Sequence, residues 1–412
     1  MKSNTIHPLK NNFIFFLLSP FLGFIQALKY HKEDWAKNSV WLFVIFYGYT
    51  MIRPEIMDST RYVVNLINLY NKPMTWDIFV ANFYSEDSDT VDIYQPLVTF
   101  ILSRFTKDGN ILFAVYGFVY GYFFSRNIWL LLDLAKGYQV DRKFWILIIT
   151  FICVLGFWNL NGVRMFTAAH VFFYGAFQYI INSKRKGIII AISSMLIHFS
   201  FVLPIGVFLM FILVRIPWRI LYFSFIGSFF ISSLNVTAIR TKLESVAPKF
   251  LLPRVNSYTS DEYVEVVSDL NLSANWYIKL YTNSLMWVIV VLFSLIYFAK
   301  SKNYKNDKSF ANLFGFSLLI LTLGNITSLL PSGGRFVILA QLFGVAMLVY
   351  YYVRFNVDLY ARWLVLLSPL LYFFILINVR ISFDTISLLT IFGNPILALV
   401  LDLPIPLIDL VK

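Results

Sequence analysis

The chain has 412 residues, of which 59% are hydrophobic, 19% aromatic and only 14% charged, with a mean hydropathy of +0.70. That balance excludes an ordinary soluble domain and describes an all-α polytopic membrane protein with the lipid bilayer as its solvent. The net charge of +12 reads as basic cytoplasmic loops and not as a nucleic-acid surface, and the lone Cys153 excludes an intrachain disulfide.

Four histidines without H-x-x-x-H spacing, and no C-x-x-C, argue against a protein-built zinc site, so neither metal nor cofactor is expected. The length leaves room for about 11–14 spans of about 20 residues, some of them hairpins or re-entrant. No internal repeat divides the chain, and residues 1–412 are read as a single integral membrane domain.

Residues 13–28, FIFFLLSPFLGFIQAL, resemble a signal-peptide core but run into Lys29, His31 and Lys32 instead of a small-residue cleavage site. They are expected to remain as a re-entrant or spanning segment. Clearer spans follow near 36–53, 110–132, 144–161, 163–181, 187–214, 217–236, 276–299, 309–330, 336–353 and 363–379, with a weaker one at 386–401 that carries Asn394 and Pro395. The stretch 187–214 would be about 42 Å long as one helix, against a hydrocarbon core of about 30 Å. A break after LIHFSF, giving two short legs of a hairpin, fits it better.

With the first clear span running in to out, the short inside loops hold Lys136, Arg142, Lys143, Lys184, Arg185, Lys186, Arg215, Arg219, Lys300 and Lys308, as the positive-inside rule asks. The polar segments 55–108 and 237–275 then lie outside. In the first of them Asp58, Arg61, Asn65 and Asn68 form one stripe and Tyr62, Leu66 and Leu69 a second, the pattern of an amphipathic helix on the outer surface.

This topology brings three groups to one depth on the outer side. Arg164 follows the turn NLNG, His198 falls at the hairpin tip, and Arg335 follows the turn PSGG. Charged groups at such a level are costly unless paired, wet or functional. On the face of Arg164, Thr167, Ala168, Val171 and Gly175 are small enough to admit another helix or a ligand, whereas His170 lies about 240° round the helix and reads as packing. PSGGRF lacks the Lys-Ser/Thr of a P-loop. EDSDTVD holds a D-x-D at Asp87 and Asp89, which by itself describes a solvated acidic loop better than a metal–nucleotide-sugar site.

NGVRMFTAAHVFFYGAFQYI followed by KRKGIIIAISSMLIHFSFVLPI is similar to the EpsG-like branch of Wzy-type polysaccharide polymerases, with their Asn-x-x-Arg helix, basic loop and Ile-His-x-Ser tip. MDSTRYVVNL and YQPLVTFIL resemble further segments of that family, over about residues 20–350 in all. The usual Gln after the motif arginine is replaced by Met165. The resemblance implies a GT-C-like, metal-independent enzyme of the bacterial inner membrane whose active site faces the periplasm or exterior. It would transfer a growing glycan from undecaprenyl diphosphate onto a lipid-linked oligosaccharide repeat unit. Its partners would be those two lipid-linked oligosaccharides, donor and acceptor, and a chain-length regulator.

The residues suit that chemistry. Arg164, Arg335 and Arg61 are the expected diphosphate ligands, because guanidinium groups bind phosphate bidentately and stabilise the charge that develops as the glycosidic bond breaks. His198 and Asp58 are the expected catalytic groups, as bases or orienting partners for the acceptor hydroxyl. Two alternatives stay open: a flippase of lipid-linked sugars, whose site would lie nearer the midplane between repeated halves, and an O-antigen ligase or membrane acyltransferase using outer-face Arg and His.

Overall fold

The structure is a computed structural model that describes residues 14–55, 57–84, 92–231, 275–299, 307–330, 333–355, 357–401 and 403–411. Asp87 and Asp89, and nearly all of the segment 237–275 that is expected on the outer side, lie outside the described residues. The described helices are α1 Pro20–Lys29, α2 Ala36–Thr50, α3 Asp58–Asn71, α4 Trp76–Tyr84, α5 Tyr94–Leu102, α6 Gly109–Leu134, α7 Arg142–Val154, α8 Val163–Asn182 and α9 Lys186–Ile197. They continue with α10 Val202–Leu213, α11 Trp218–Ser228, α12 Trp276–Phe298, α13 Lys308–Thr327, α14 Arg335–Phe355, α15 Asp358–Ser382, α16 Leu388–Phe392 and α17 Pro395–Val400.

Five of the described helical stretches, 142–182, 276–298, 308–327, 335–355 and 358–382, are long and apolar enough to cross a membrane. The protein is thus all-α and polytopic, in keeping with its composition. Helices α2 and α6 pack antiparallel at very close range. Cβ atoms at Gly48 and Gly117 would overlap the backbone of Phe113 and Val44, so both positions require glycine for the contact itself.

The overlong apolar stretch folds as the expected hairpin. α9 rises along α8, the chain breaks at His198, and α10 returns, with Phe201 against Phe336 near the tip and Phe211 against Phe316 farther down. Each leg has 12 residues, a rise of about 18 Å against about 30 Å of hydrocarbon.

What admits α9 to α8 is the small-residue face behind Arg164. A Cβ on Gly175 would overlap the backbone of Ala191 and Gly187, and one on Gly187 would overlap Gly175. That face is filled by a helix, and the close packing ties the element carrying Arg164 to the one carrying His198.

The expected span 144–161 ends earlier, at Val154, and gives way to a 3-10 turn, Phe157–Gly162. Tyr120 of α6 donates to the Gly156 carbonyl at 2.6 Å and Tyr47 of α2 to the Trp158 carbonyl at 3.5 Å. These bonds tie the carbonyls of the turn to the neighbouring helices inside the bundle, as a low-dielectric interior favours. The segment 386–401 forms the two short helices α16 and α17, of five and six residues, broken at Gly393, too short to span. Thr385 and Thr390 bond to Tyr47 and Thr50, which keeps this tail at the α2 C-terminal end of the bundle.

Helix directions alternate so that the head of α8, the hairpin tip and the head of α14 share that same end. The opposite end carries the α8–α9 turn with Lys184, Arg185 and Lys186, together with Lys136, Arg142, Lys143, Arg215, Arg219 and Lys308.

Candidate functional site

A cavity of about 330 Å³ opens at this end, and Asp58, Tyr62, Asn161, Arg164, His198 and Arg335 are among the residues that line it. α3 lies over the end of the bundle, as its two stripes predict, with Ser59, Tyr62 and Leu66 buried. Its buried tyrosine reaches the site: Arg164 Nε donates to the Tyr62 hydroxyl at 3.0 Å.

The centre of the arrangement is Asp92, which the sequence reading passed over. Its carboxylate, only 5% exposed, accepts from Arg164 Nη1 at 2.9 Å, from His198 Nδ1 at 2.9 Å and from the Phe199 backbone N–H at 2.7 Å. Three donors from two other segments, α8 and the hairpin tip, meet on one carboxylate, so its position is over-determined. Ile93 adds a backbone bond to the Leu196 carbonyl at 3.1 Å, which fastens the head of α5 to the tip of α9. Burial by itself would raise the Asp92 carboxyl. The hydrogen bond and charge of His198, the charge of Arg164 and the Phe199 N–H together overcome that and hold it below the ordinary carboxylate range.

This geometry fixes the histidine. An ionised carboxylate only accepts, so His198 Nδ1 carries a proton toward Asp92, and in the neutral imidazole Nε2 is then the acceptor. Nε2 has no hydrogen-bond partner among the described residues, and the side chain, 13% exposed, borders the cavity. An imidazole held in one tautomer by a carboxylate behind it is poised to take a proton from a hydroxyl in front.

The three arginines proposed from sequence fall in three different places. Arg164 is 18% exposed and has Nη1 and Nε committed to Asp92 and Tyr62, so its charge is largely balanced before any ligand arrives. Arg335, the first residue of α14, is exposed, lines the cavity and has no acidic partner among the described residues. Arg61 is 74% exposed, pairs with Asp58 on its own helix and does not line the cavity. Asp58, 32% exposed, does line it.

Just ahead of α14 a Cβ on Gly333 would overlap the Thr327 carbonyl, and the Gly333 N–H donates to the Leu330 carbonyl at 2.9 Å, so the head of the helix that carries Arg335 sits close against the end of α13. His170 is buried among Tyr120, Phe124 and Asn127, away from the cavity, in agreement with a packing role.

Comparison with protein-family models, with curated proteins and with solved structures finds no match for this chain. Any functional reading therefore stands on the chemistry of the cavity and on the likeness of its motifs.

Proposed function

We propose that this protein is a membrane glycosyltransferase of the polysaccharide-polymerase type, moving a glycan from a lipid diphosphate onto a hydroxyl of a second lipid-linked oligosaccharide. The observation that carries the reading is one cavity lined by both an Asp92-oriented His198 and Arg335, a cation with no acidic partner among the described residues. In the step proposed, the acceptor oxygen attacks the anomeric carbon of the donor while its proton passes to His198 Nε2. The bond from the anomeric carbon to the diphosphate oxygen breaks, and its electron pair leaves on the diphosphate. Arg335 binds that growing charge, with the guanidinium of Arg164 beside it in the same cavity. Tyr62, Asn161 and Asp58 line the same cavity. A site at one end of the bundle suits this chemistry better than carriage of a sugar across the midplane.

The direct test is reconstitution with a synthetic lipid-diphosphate repeat unit. A ladder of products is expected, and Arg335→Ala should remove it while the protein stays folded. Arg335→Lys should recover little, because a lysine offers no fork for the diphosphate. A single added unit would indicate ligase-like transfer, and substrate movement with no covalent product would indicate a flippase.

The orientation proposed is a bacterial cytoplasmic membrane with the cavity facing outward, on the strength of the basic residues gathered at the opposite end. Cys153 is buried, so single cysteines can be introduced in the native background at two exposed positions. Lys72→Cys should label from outside intact cells with an impermeant thiol reagent, and Lys184→Cys only after lysis. Labelling of both from outside would reverse the conclusion.

A further inference from the structure

A second and larger cavity, about 480 Å³, lies at the same end of the bundle. It shares two walls with the first. Asn159 lines the larger cavity and Asn161 the smaller, from the one 3-10 turn, while Gly334 lines the larger and Arg335 the smaller, at the head of α14. Among the described residues its lining holds no acidic, basic or histidine side chain.

It holds neutral amides and rings instead. Asn325, Gln341 and Asn378 come from α13, α14 and α15, and Trp158 and Tyr281 supply aromatic surface. Each of the three amides spends an N–H inside the protein: Asn325 on Ser228 Oγ at 2.9 Å, Gln341 on the Thr282 carbonyl at 3.2 Å, and Asn378 on the Phe374 carbonyl at 3.0 Å. Their side-chain oxygens keep no partner among the described residues, and neither does the Asn159 side chain. An alkyl chain here would leave those acceptors unmatched, and among the described lining residues an anion finds no cation and a cation no carboxylate. A ring carrying hydroxyls around an apolar face meets both needs, and the volume falls in the range of about 300–1,000 Å³ usual for small-molecule sites.

We infer that this cavity is a binding site for an uncharged sugar, and that it holds the glycan portion of the acceptor with its reacting hydroxyl toward His198. The second part of that inference rests on the transferase reading. The first part does not.

The test uses full-length protein in nanodiscs and saturation-transfer NMR with a panel of free neutral saccharides: glucose, galactose, N-acetylglucosamine, N-acetylgalactosamine and their disaccharides. At least one should bind to the wild type and to Arg335→Ala, and Asn159→Leu and Gln341→Leu should weaken it by about tenfold or more. Asn159→Leu breaks no side-chain hydrogen bond among the described residues, so it separates loss of the site from loss of the fold. Failure of the whole panel to bind, or binding unchanged in both leucine variants, would overturn the sugar site. In the ladder assay the same two variants should raise KM for the acceptor. A wild type that binds sugar in this cavity yet makes no product from lipid diphosphate would sink the transferase reading and leave the sugar site standing. A full ladder at unchanged acceptor KM in both variants would do the reverse.

Discussion

Replacing Asp92 with Asn is expected to destabilise the protein by about 3–5 kcal/mol, the cost of stripping the partner from a desolvated charge. The estimate applies because Arg164 and Asp92 are 18% and 5% exposed, so solvent screens the pair weakly. In the wild type the carboxylate serves Arg164, His198 and the Phe199 N–H at once. An amide serves at most part of this set and brings no charge. Pairing the substitution with Arg164→Met, which removes the stranded cation, should recover a large part of the loss. A double-mutant cycle on unfolding in detergent measures it. Additive losses, with no coupling between the two positions, would show that the ion pair does not hold the site together.

The same pair has a pH signature. The folded-state Asp92 carboxyl is held below the ordinary value of about 3.9, so the pairing contributes its full stability above that pH and loses it as the pH falls through the folded value. Asp92→Asn should therefore flatten the acid limb of the stability profile and lower the neutral plateau. Activity is expected to fall with it, because the imidazole of His198 loses the group that fixes its tautomer.

Asp92 was hidden for physical reasons. It closes the run EDSDTVD, whose other acids read as a solvated loop, and its partners lie 72 and 106 residues away, a separation that no local period encodes. Its one local mark is its place two residues ahead of the YQPLVTFIL helix. The depth of Arg164, His198 and Arg335 was legible because bilayer thickness converts span length into position, and the break at His198 followed from a stretch too long for one crossing. The stripe of α3 gave its buried face through Tyr62 and Leu66, but spacing alone set Arg61 beside Asp58 as a ligand when its side chain turns outward. The neutral cavity was the least legible part. Its amides come singly, each from a different segment, and each is unremarkable in its own helix.

Turnover in the ladder assay is expected to fall by about 10²–10⁴-fold in His198→Ala, with binding of the lipid-diphosphate donor retained. General-base assistance belongs to the transition state, so its loss lowers kcat and leaves ground-state binding to Arg335 in place. The substitution is also structurally mild. It removes one of three donors to Asp92 and leaves Arg164 and the Phe199 N–H bound to it. His198→Gln discriminates two roles for the imidazole. An amide can donate to Asp92 and orient a sugar hydroxyl but cannot accept its proton, so Gln should not restore turnover if Nε2 is the base. Substantial recovery in Gln would demote His198 to an orienting group and transfer the base role to Asp58, the other titratable residue lining the cavity that can accept a proton. Wild-type turnover in His198→Ala would remove the histidine from the mechanism altogether, and the Asp92 cluster would then be a structural clasp between α5, α8 and the hairpin tip.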